Sequence, residues 1–387
     1  MDKPKAILTP PSKEEISNRW KKVRNMMQQQ NLDYYISYDP VNIYYLTNFY
    51  GYIHERPFIL VIPKKGIPQF IIPHMVEAHI WKRILYELEY TSYIEFPAPI
   101  GENWFDKLRK FISKDAKIGL ESVMHLGIAE KIPGKKIITD IIDEVRIVKS
   151  DYEIGRITHA CQVVNEGHKK LLEVCRPKVP LISIYRDVTS VMTSKILRDI
   201  PNANLLAVST TGAVWPPSIS HYNQFIPNIF YPMEKGGPHC SIVLAKVDGY
   251  GVEIERTFFL GDIPEKAKEP FKVMLEARAL VYDLVKPGAI MSDIDKSVRT
   301  LLKNKGYGDC INHRTGHGFG ITGHEAPYLA EGYDRKFEPN MVISIEPGIY
   351  IPELGGFRHS DTVLVTDDGN MKLTQAPEEL DDVIISL

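Results

Sequence analysis

Three segments near the end of the chain concentrate side chains that can do chemistry. Asn312 to Pro327 carries His313, His317 and His324 among glycines, which let the backbone come close to whatever the histidines face. Ile343 to Tyr350 delivers Glu346 just ahead of Pro347-Gly348, and Gly355 to Thr366 delivers Arg358, His359, Ser360 and Asp361. In each, a short β-branched run places alternate side chains on one face of a strand. Histidines and carboxylates converging from separate segments point to a metal site or to acid–base chemistry. Upstream, Gly249 to Phe259 adds Glu253 and Glu255. Strand alternation puts these two on one face, where they repel unless a cation or a shared proton lies between them. His221 follows a loop rich in Ser, Thr, Gly and Pro over Ser209 to Pro217. An imidazole there suits a group that takes a proton from water and returns it to a leaving nitrogen.

Each residue also has a plainer reading. His313 reads as structural, His317 as either catalytic or a packed histidine, and Arg358 with Asp361 as a structural ion pair. The tyrosines at 34, 35, 44 and 45 read as core and interface rather than a binding platform.

The elements that must position these residues fall into two halves. Lys13 to Gln30 has the apolar spacing of an amphipathic helix. Strands are expected at Tyr34 to Tyr38, Arg56 to Pro63, Pro68 to Pro73, Lys117 to Glu121 and Lys136 to Asp140. Helices are expected at Val76 to Glu87 and Trp104 to Ile112. The alternation argues for an α/β domain over 1–145, without the glycine fingerprint of a dinucleotide site. Beyond a junction at Val145 to Ser150, residues 146–387 read as helix, helix, strand, strand, and then repeat that order. The helices are Asp151 to Val174, Leu181 to Arg198, Pro264 to Val285 and Met291 to Lys305; the strands of the first set are Cys240 to Val247 and Gly251 to Leu260. The fold class is therefore α+β.

Bulk properties narrow the function. With 47 basic and 49 acidic residues in 387, nothing steers the chain toward nucleic acid or an anionic membrane. Its apolar runs are strand-sized, and no stretch of signal-peptide length opens it. Cys161, Cys175, Cys240 and Cys310 lack metal or disulfide spacing, so reduced thiols and a cytoplasmic protein are expected.

Taken together, these segments resemble the pita-bread family: methionine aminopeptidases, aminopeptidase P, prolidases (Xaa-Pro dipeptidases) and creatinase. The resemblance covers nearly the whole chain. It implies a creatinase/prolidase-type N-terminal domain followed by a catalytic pita-bread domain. The family's peptidases hold two metal ions on two aspartates, a histidine and two glutamates. His317 and Glu346 match two of these ligands, and Glu253 falls on the second aspartate. The first aspartate belongs within Cys240 to Val247, which has none and brings Lys246 instead; Ser360 stands at the last glutamate. The resemblance therefore implies no dinuclear centre and no expected cofactor. The alternative is a single Mn²⁺, Co²⁺ or Zn²⁺ on Glu253, His317 and Glu346.

Creatinase keeps the fold and works without metal. By resemblance to it, Glu255 falls on a substrate-binding glutamate, His221 on the catalytic histidine, and Arg56 on an arginine supplied to the neighbouring subunit. His324 resembles the family's substrate-facing histidine. Its second guanidinium-binding carboxylate falls on His359, and its second carboxylate-clamping arginine near Tyr328. The leading expectation is a homodimeric, creatinase-like hydrolase of a C–N bond in a small zwitterion. In it His221, His324, Glu255 and Glu346 act catalytically, and Arg56, Glu253, His317, His359 and Tyr328 line the substrate. The rival expectations are an Xaa-Pro dipeptidase or aminopeptidase with one metal, and a non-catalytic binding protein.

Overall fold

A computed structural model describes residues 3–52, 55–222 and 228–387, and the elements below are those of the described residues. They divide into two compact units, Thr9–Arg146 and the described part of Met1–Leu8 with Ile147–Leu387.

The first unit contains α1 (Lys13–Gln29), β1 (Tyr34–Ser37), α2 (Pro40–Thr47), β2 (Ile59–Pro63), β3 (Gln69–Pro73), α3 (Glu77–Arg83) and β4 (Glu89–Tyr93). It continues with α4 (Trp104–Leu108), β5 (Lys117–Leu120), α5 (Leu126–Ala129), β6 (Lys135–Ile138) and α6 (Ile141–Arg146). Ser12 caps α1 by accepting from the Glu15 N–H, and Ile16, Trp20, Val23 and Met27 form its buried stripe. The strands make one mixed sheet in the order β4-β3-β2-β1-β5-β6. Its core gathers Ile36, Val61, Ile71, Tyr93, Trp104 and Ile118. The helix expected over Val76 to Glu87 is shorter, because the backbone turns extended at Ile84.

The second unit begins with α7 (Asp151–Val174), α8 (Leu181–Asp199), β7 (Ser209–Trp215), α9 (Pro217–Ser220), β8 (Gly236–Val247) and β9 (Tyr250–Leu260). Next come α10 (Glu265–Leu284), α11 (Met291–Asn304), β10 (Gly316–Gly318), β11 (Glu325–Leu329), β12 (Val342–Ile345), β13 (Gly348–Ile351), β14 (Gly355–Arg358), β15 (Asp361–Val365), β16 (Asn370–Lys372) and β17 (Ile384–Ile385). A Ser150–Glu153 capping box starts α7 at the expected residue. The segment Ser209 to Pro217, expected as a loop, is mostly strand β7, paired residue by residue with β8 from Ser209↔Lys246 to Trp215↔Cys240. Its small polar residues hide an extended segment that takes its conformation from its neighbour rather than from propensity.

Three sheets result: β17-β9-β8-β7, β11-β10-β12-β15-β16 and the hairpin β13-β14. Reciprocal backbone hydrogen bonds of 3.1 Å between Glu255 and Ser360 join β9 to the β14–β15 connection. Strand β9 is buried along its whole length. One face, with Arg256, lies toward the helices; the other, with Glu253 and Glu255, meets β14, β15 and β10. No helix among the described residues is long and apolar enough to cross a membrane.

Candidate active site

The alternation of β9 sends Glu253 and Glu255 to the same face, 2% exposed each. Two carboxylates cannot share a dry site without compensation, and each has a separate partner. Glu253 Oε1 accepts from Ser360 Oγ at 2.9 Å. Glu255 faces one edge of a guanidinium: Arg358 Nη2 donates to Oε1 at 2.6 Å, and Nε lies 2.5 Å from Oε2 as an ion pair. Arg358 is itself steadied by donating to the Tyr350 hydroxyl at 2.9 Å, and Tyr350 lies 2.7 Å from His313 Nε2. Burial raises the proton affinity of Glu255, Arg358 pulls it down, and the charges of Glu253 and Glu346 raise it again. On Arg358, burial works against the charge, yet Glu255 keeps the guanidinium protonated well above its ordinary range.

Across from this pair, β10 and β12 bring His317 and Glu346 together. Ser344 ties them: its hydroxyl accepts from the His317 N–H at 2.9 Å and donates to Glu346 Oε1 at 3.1 Å. Ser344 is not among the residues expected to act, although the spacing Ser344-x-Glu346 signals two side chains on one strand face. The glycines flanking His317 have a steric reason. A Cβ at Gly316 would collide with the Ser344 carbonyl oxygen, and one at Gly318 with that of Ala326.

His317 Nε2 sits 3.2 Å from Glu346 Oε1 and 3.7 Å from Glu253 Oε1. Neither contact has hydrogen-bond geometry, so a buried ring nitrogen points between two carboxylates without a hydrogen-bond partner among the described residues. Burial disfavours the imidazolium here, but Glu346 and Glu253 outweigh it and raise His317 to about 10. Burial likewise opposes charge on Glu346, and His317 more than compensates, holding it down to about 2. Replacing Ser344 with alanine is expected to weaken divalent-cation affinity by about 10–100-fold while the fold persists, as for other groups that orient a ligand. Titration with Co²⁺ followed by its absorption spectrum checks this.

The remaining expected residues divide by location. His324 is exposed and stacks on His317, with centroids 3.7 Å apart and planes at 17°. Burial and the charge on His317 lower its proton affinity. Tyr328 lies directly across the β10–β11 pair from His317, with the Arg314 guanidinium 4.5 Å above its ring. His221 ends α9, whose Ser220 hydroxyl accepts from the Gly356 N–H at 2.9 Å and donates to Pro238 O at 3.0 Å. Its ring rests on Tyr222 at 3.9 Å, and its Nδ1 is buried without a hydrogen-bond partner among the described residues. In the other unit, Arg56 is engaged by Glu95 and Glu55, each at 2.6 Å.

Three expectations need correction. His359 does not line a substrate cavity; it is fully buried toward α10, edge-on to Phe271 at 5.4 Å, where burial and the nearby arginines keep it neutral. Arg358 and Asp361 do not pair, because the chain places them on opposite faces: Arg358 meets Glu255, and Asp361 meets Arg256 at 3.0 Å and also Arg278. Glu255 is not open to a cationic substrate, because it is already ion-paired with the chain's own guanidinium, which donates to its Oε1 and lies beside its Oε2.

These residues fit one divalent cation but not a bridged pair. Glu253, His317 and His324 each offer a ligand atom, all within 4.8 Å of one another, and so do Glu253, Glu255 and Glu346. The Nε2 of His317, which lies between Glu346 and Glu253 and has no hydrogen-bond partner among the described residues, is what a single ion would satisfy. Among the described residues, the two positions where a second ion would need further carboxylates do not supply them. The β8 residues paired with Glu255 and Glu253 are Ile242 and Leu244, and Ile242 packs beside Trp215, Ile219 and Cys240. On the opposite side, Ser360 offers a hydroxyl where a bridging carboxylate would be needed.

A fold of this order, with histidine and carboxylates converging on a split sheet, defines a two-domain hydrolase class, and the chain belongs to metallopeptidase family M24. The model of that family matches residues 155–367, and that of the creatinase/prolidase N-terminal domain matches 19–148. An Xaa-Pro dipeptidase of Pyrococcus furiosus is 27% identical over 94% of this chain and 100% of its own length. One from Pyrococcus horikoshii is 30% identical over 71% of this chain and 78% of its own. An Xaa-Pro dipeptidase structure from Bacillus anthracis superposes with a TM-score of 0.80 at 25% identity, covering 95% of this chain and 99% of that one.

Proposed function

We propose that this chain cleaves the C–N bond of a small, dipeptide-sized substrate of the Xaa-Pro type at a site holding a single divalent cation. The observation that carries this reading is the buried Nε2 of His317, aimed between Glu346 and Glu253 with no hydrogen-bond partner among the described residues. The relatives named Xaa-Pro dipeptidase support the substrate class. The creatinase-like alternative requires a free carboxylate for a guanidinium, and Glu255 is already taken by Arg358.

Glu253, His317 and Glu346 would hold the cation, which supplies Lewis-acid polarisation and a more acidic water. Ser360 and Ser344 fix the carboxylate oxygens of Glu253 and Glu346, so little reorganisation is left for the reaction. His324, exposed and stacked on His317, would exchange protons with substrate, and His221 would protonate the departing nitrogen. Tyr328 borders the substrate beside His317. The catalytic domain is taken as 146–387. In a homodimer Arg56 would exchange Glu95 and Glu55 for the substrate carboxylate in the neighbouring subunit.

The test is hydrolysis of an Xaa-Pro dipeptide by protein stripped of metal and reloaded with Mn²⁺, Co²⁺ or Zn²⁺. Activity restored by one of these ions and abolished by a chelator is expected. Turnover indifferent to both would overturn the single-cation reading, and binding without turnover would indicate a recognition module.

A further inference from the structure

The loop over residues 319–324 joins β10 to β11 and returns His324 over His317. Gly320 and Gly323 make such a loop costly to order, and stacking on His317 does not by itself order it. The order comes from underneath. Glu325, the next residue and the first of β11, turns inward and is 9% exposed. The loop is wound round its carboxylate. Oε2 accepts from the Thr322 N–H at 3.2 Å and lies 3.0 Å from the Thr322 hydroxyl, itself 3.1 Å from the His324 carbonyl oxygen. Gly320 sits so close that a Cβ there would collide with Oε1. That oxygen is 3.2 Å from Nζ of Lys149, whose side chain is wholly buried and also donates to Ile147 O at 3.1 Å. Gly251, near the start of β9, donates to Gly320 O at 2.7 Å and closes the other side.

We infer that Glu325, anchored by Lys149, is a positioning residue: it holds His324 on His317, at the edge of the cation site, for proton exchange with substrate. This rests on the role given to His324 above. The carboxylate of Glu325 is occupied by Thr322 and Lys149, so it acts through the backbone of the loop and not on the reacting atoms. A buried ion pair is a poor stabiliser, since apolar residues of the same volume do as well or better. What a carboxylate adds is direction. Its lone pairs fix where the Thr322 N–H and hydroxyl lie, and with them the carbonyl of His324.

Wild type and Glu325→Gln are treated with diethyl pyrocarbonate without added metal, and carbethoxylation is read histidine by histidine by mass spectrometry. His324 is expected to react several-fold faster in Glu325→Gln, because the freed ring leaves His317; an equal rate would overturn the inference. In the Co²⁺-loaded enzymes, Glu325→Gln is expected to lower kcat on an Xaa-Pro dipeptide by about 10–100-fold, the order of loss that a small misplacement of a reacting group brings. Co²⁺ affinity should stay as in wild type, and the same substitution made in His324→Ala should lower kcat no further. A further loss there would mark a structural role alone and overturn the inference. A wild type that cleaves no Xaa-Pro dipeptide would defeat the functional reading, while the carbethoxylation rates still decide whether Glu325 positions the ring. Should Glu325→Gln fail to fold, Thr322→Val removes the hydroxyl and leaves the buried pair intact. Faster carbethoxylation of His324 is again expected, and an unchanged rate would count against the inference.

Discussion

Replacing His317 with alanine is expected to remove the bound cation and to lower kcat/KM on an Xaa-Pro dipeptide by more than about 100-fold. Groups that merely orient a ligand are worth about 10–100-fold, and a ligand itself exceeds them. The cause is specific. With a cation bound, His317 would give up its proton and offer a neutral nitrogen between Glu346 and Glu253; without it those two carboxylates face one another with neither an imidazolium nor a ligand nitrogen between them. The variant should also lose the stacking that fixes His324. Metal content measured beside steady-state kinetics separates loss of the ion from loss of the fold. A His317→Ala protein that retains both ion and turnover would exclude His317 as a ligand.

The second large effect concerns the other face of the same strands. Asp361, fully buried, accepts from Arg256 at 3.0 Å and from Thr374 at 2.7 Å, and also contacts Arg278. Among the described residues, Asp361→Asn leaves Arg256 in the core with Glu378, 3.9 Å away, as its remaining counter-charge. Breaking a buried pair on one side costs about 3–5 kcal/mol, so a large fall in the urea midpoint is expected. The pH dependence follows from the same contacts. Burial opposes the Asp361 anion, but Arg256 and Arg278 outweigh it and hold its pKa below the ordinary 3.8. A depressed carboxylate contributes stability in full above its unfolded pKa, about 3.9, and loses it as pH falls toward the folded value. Wild type should therefore lose stability steeply below about pH 4, and Asp361→Asn should lose that part of the slope. Equal slopes in both proteins would remove Asp361 as the cause.

Local periodicity makes much of this legible from sequence. Alternation alone places Glu253 and Glu255 on one face, and the apolar spacing of Asp151 to Val174 with its Ser150–Glu153 box gives helix α7 its bounds. Sequence reasoning fails where pairing between distant segments decides. Arg358 and Asp361 are near neighbours in sequence, yet an odd separation of three sends them to opposite faces, and the partner of Arg358 is a carboxylate 103 residues away. His359 departs from its expected place for the same reason. Strand β7 is hidden because Ser, Thr and Gly carry little strand preference, and only its pairing with β8 makes it extended. The loss of two metal donors is visible in the sequence, but not that Arg358 pairs with Glu255.

The most direct measurement is anomalous scattering from crystals grown with Mn²⁺. One peak per chain, between Glu253, His317 and Glu346, is the expected result. Two peaks bridged by protein carboxylates, or Mn²⁺ bound only elsewhere, would contradict it.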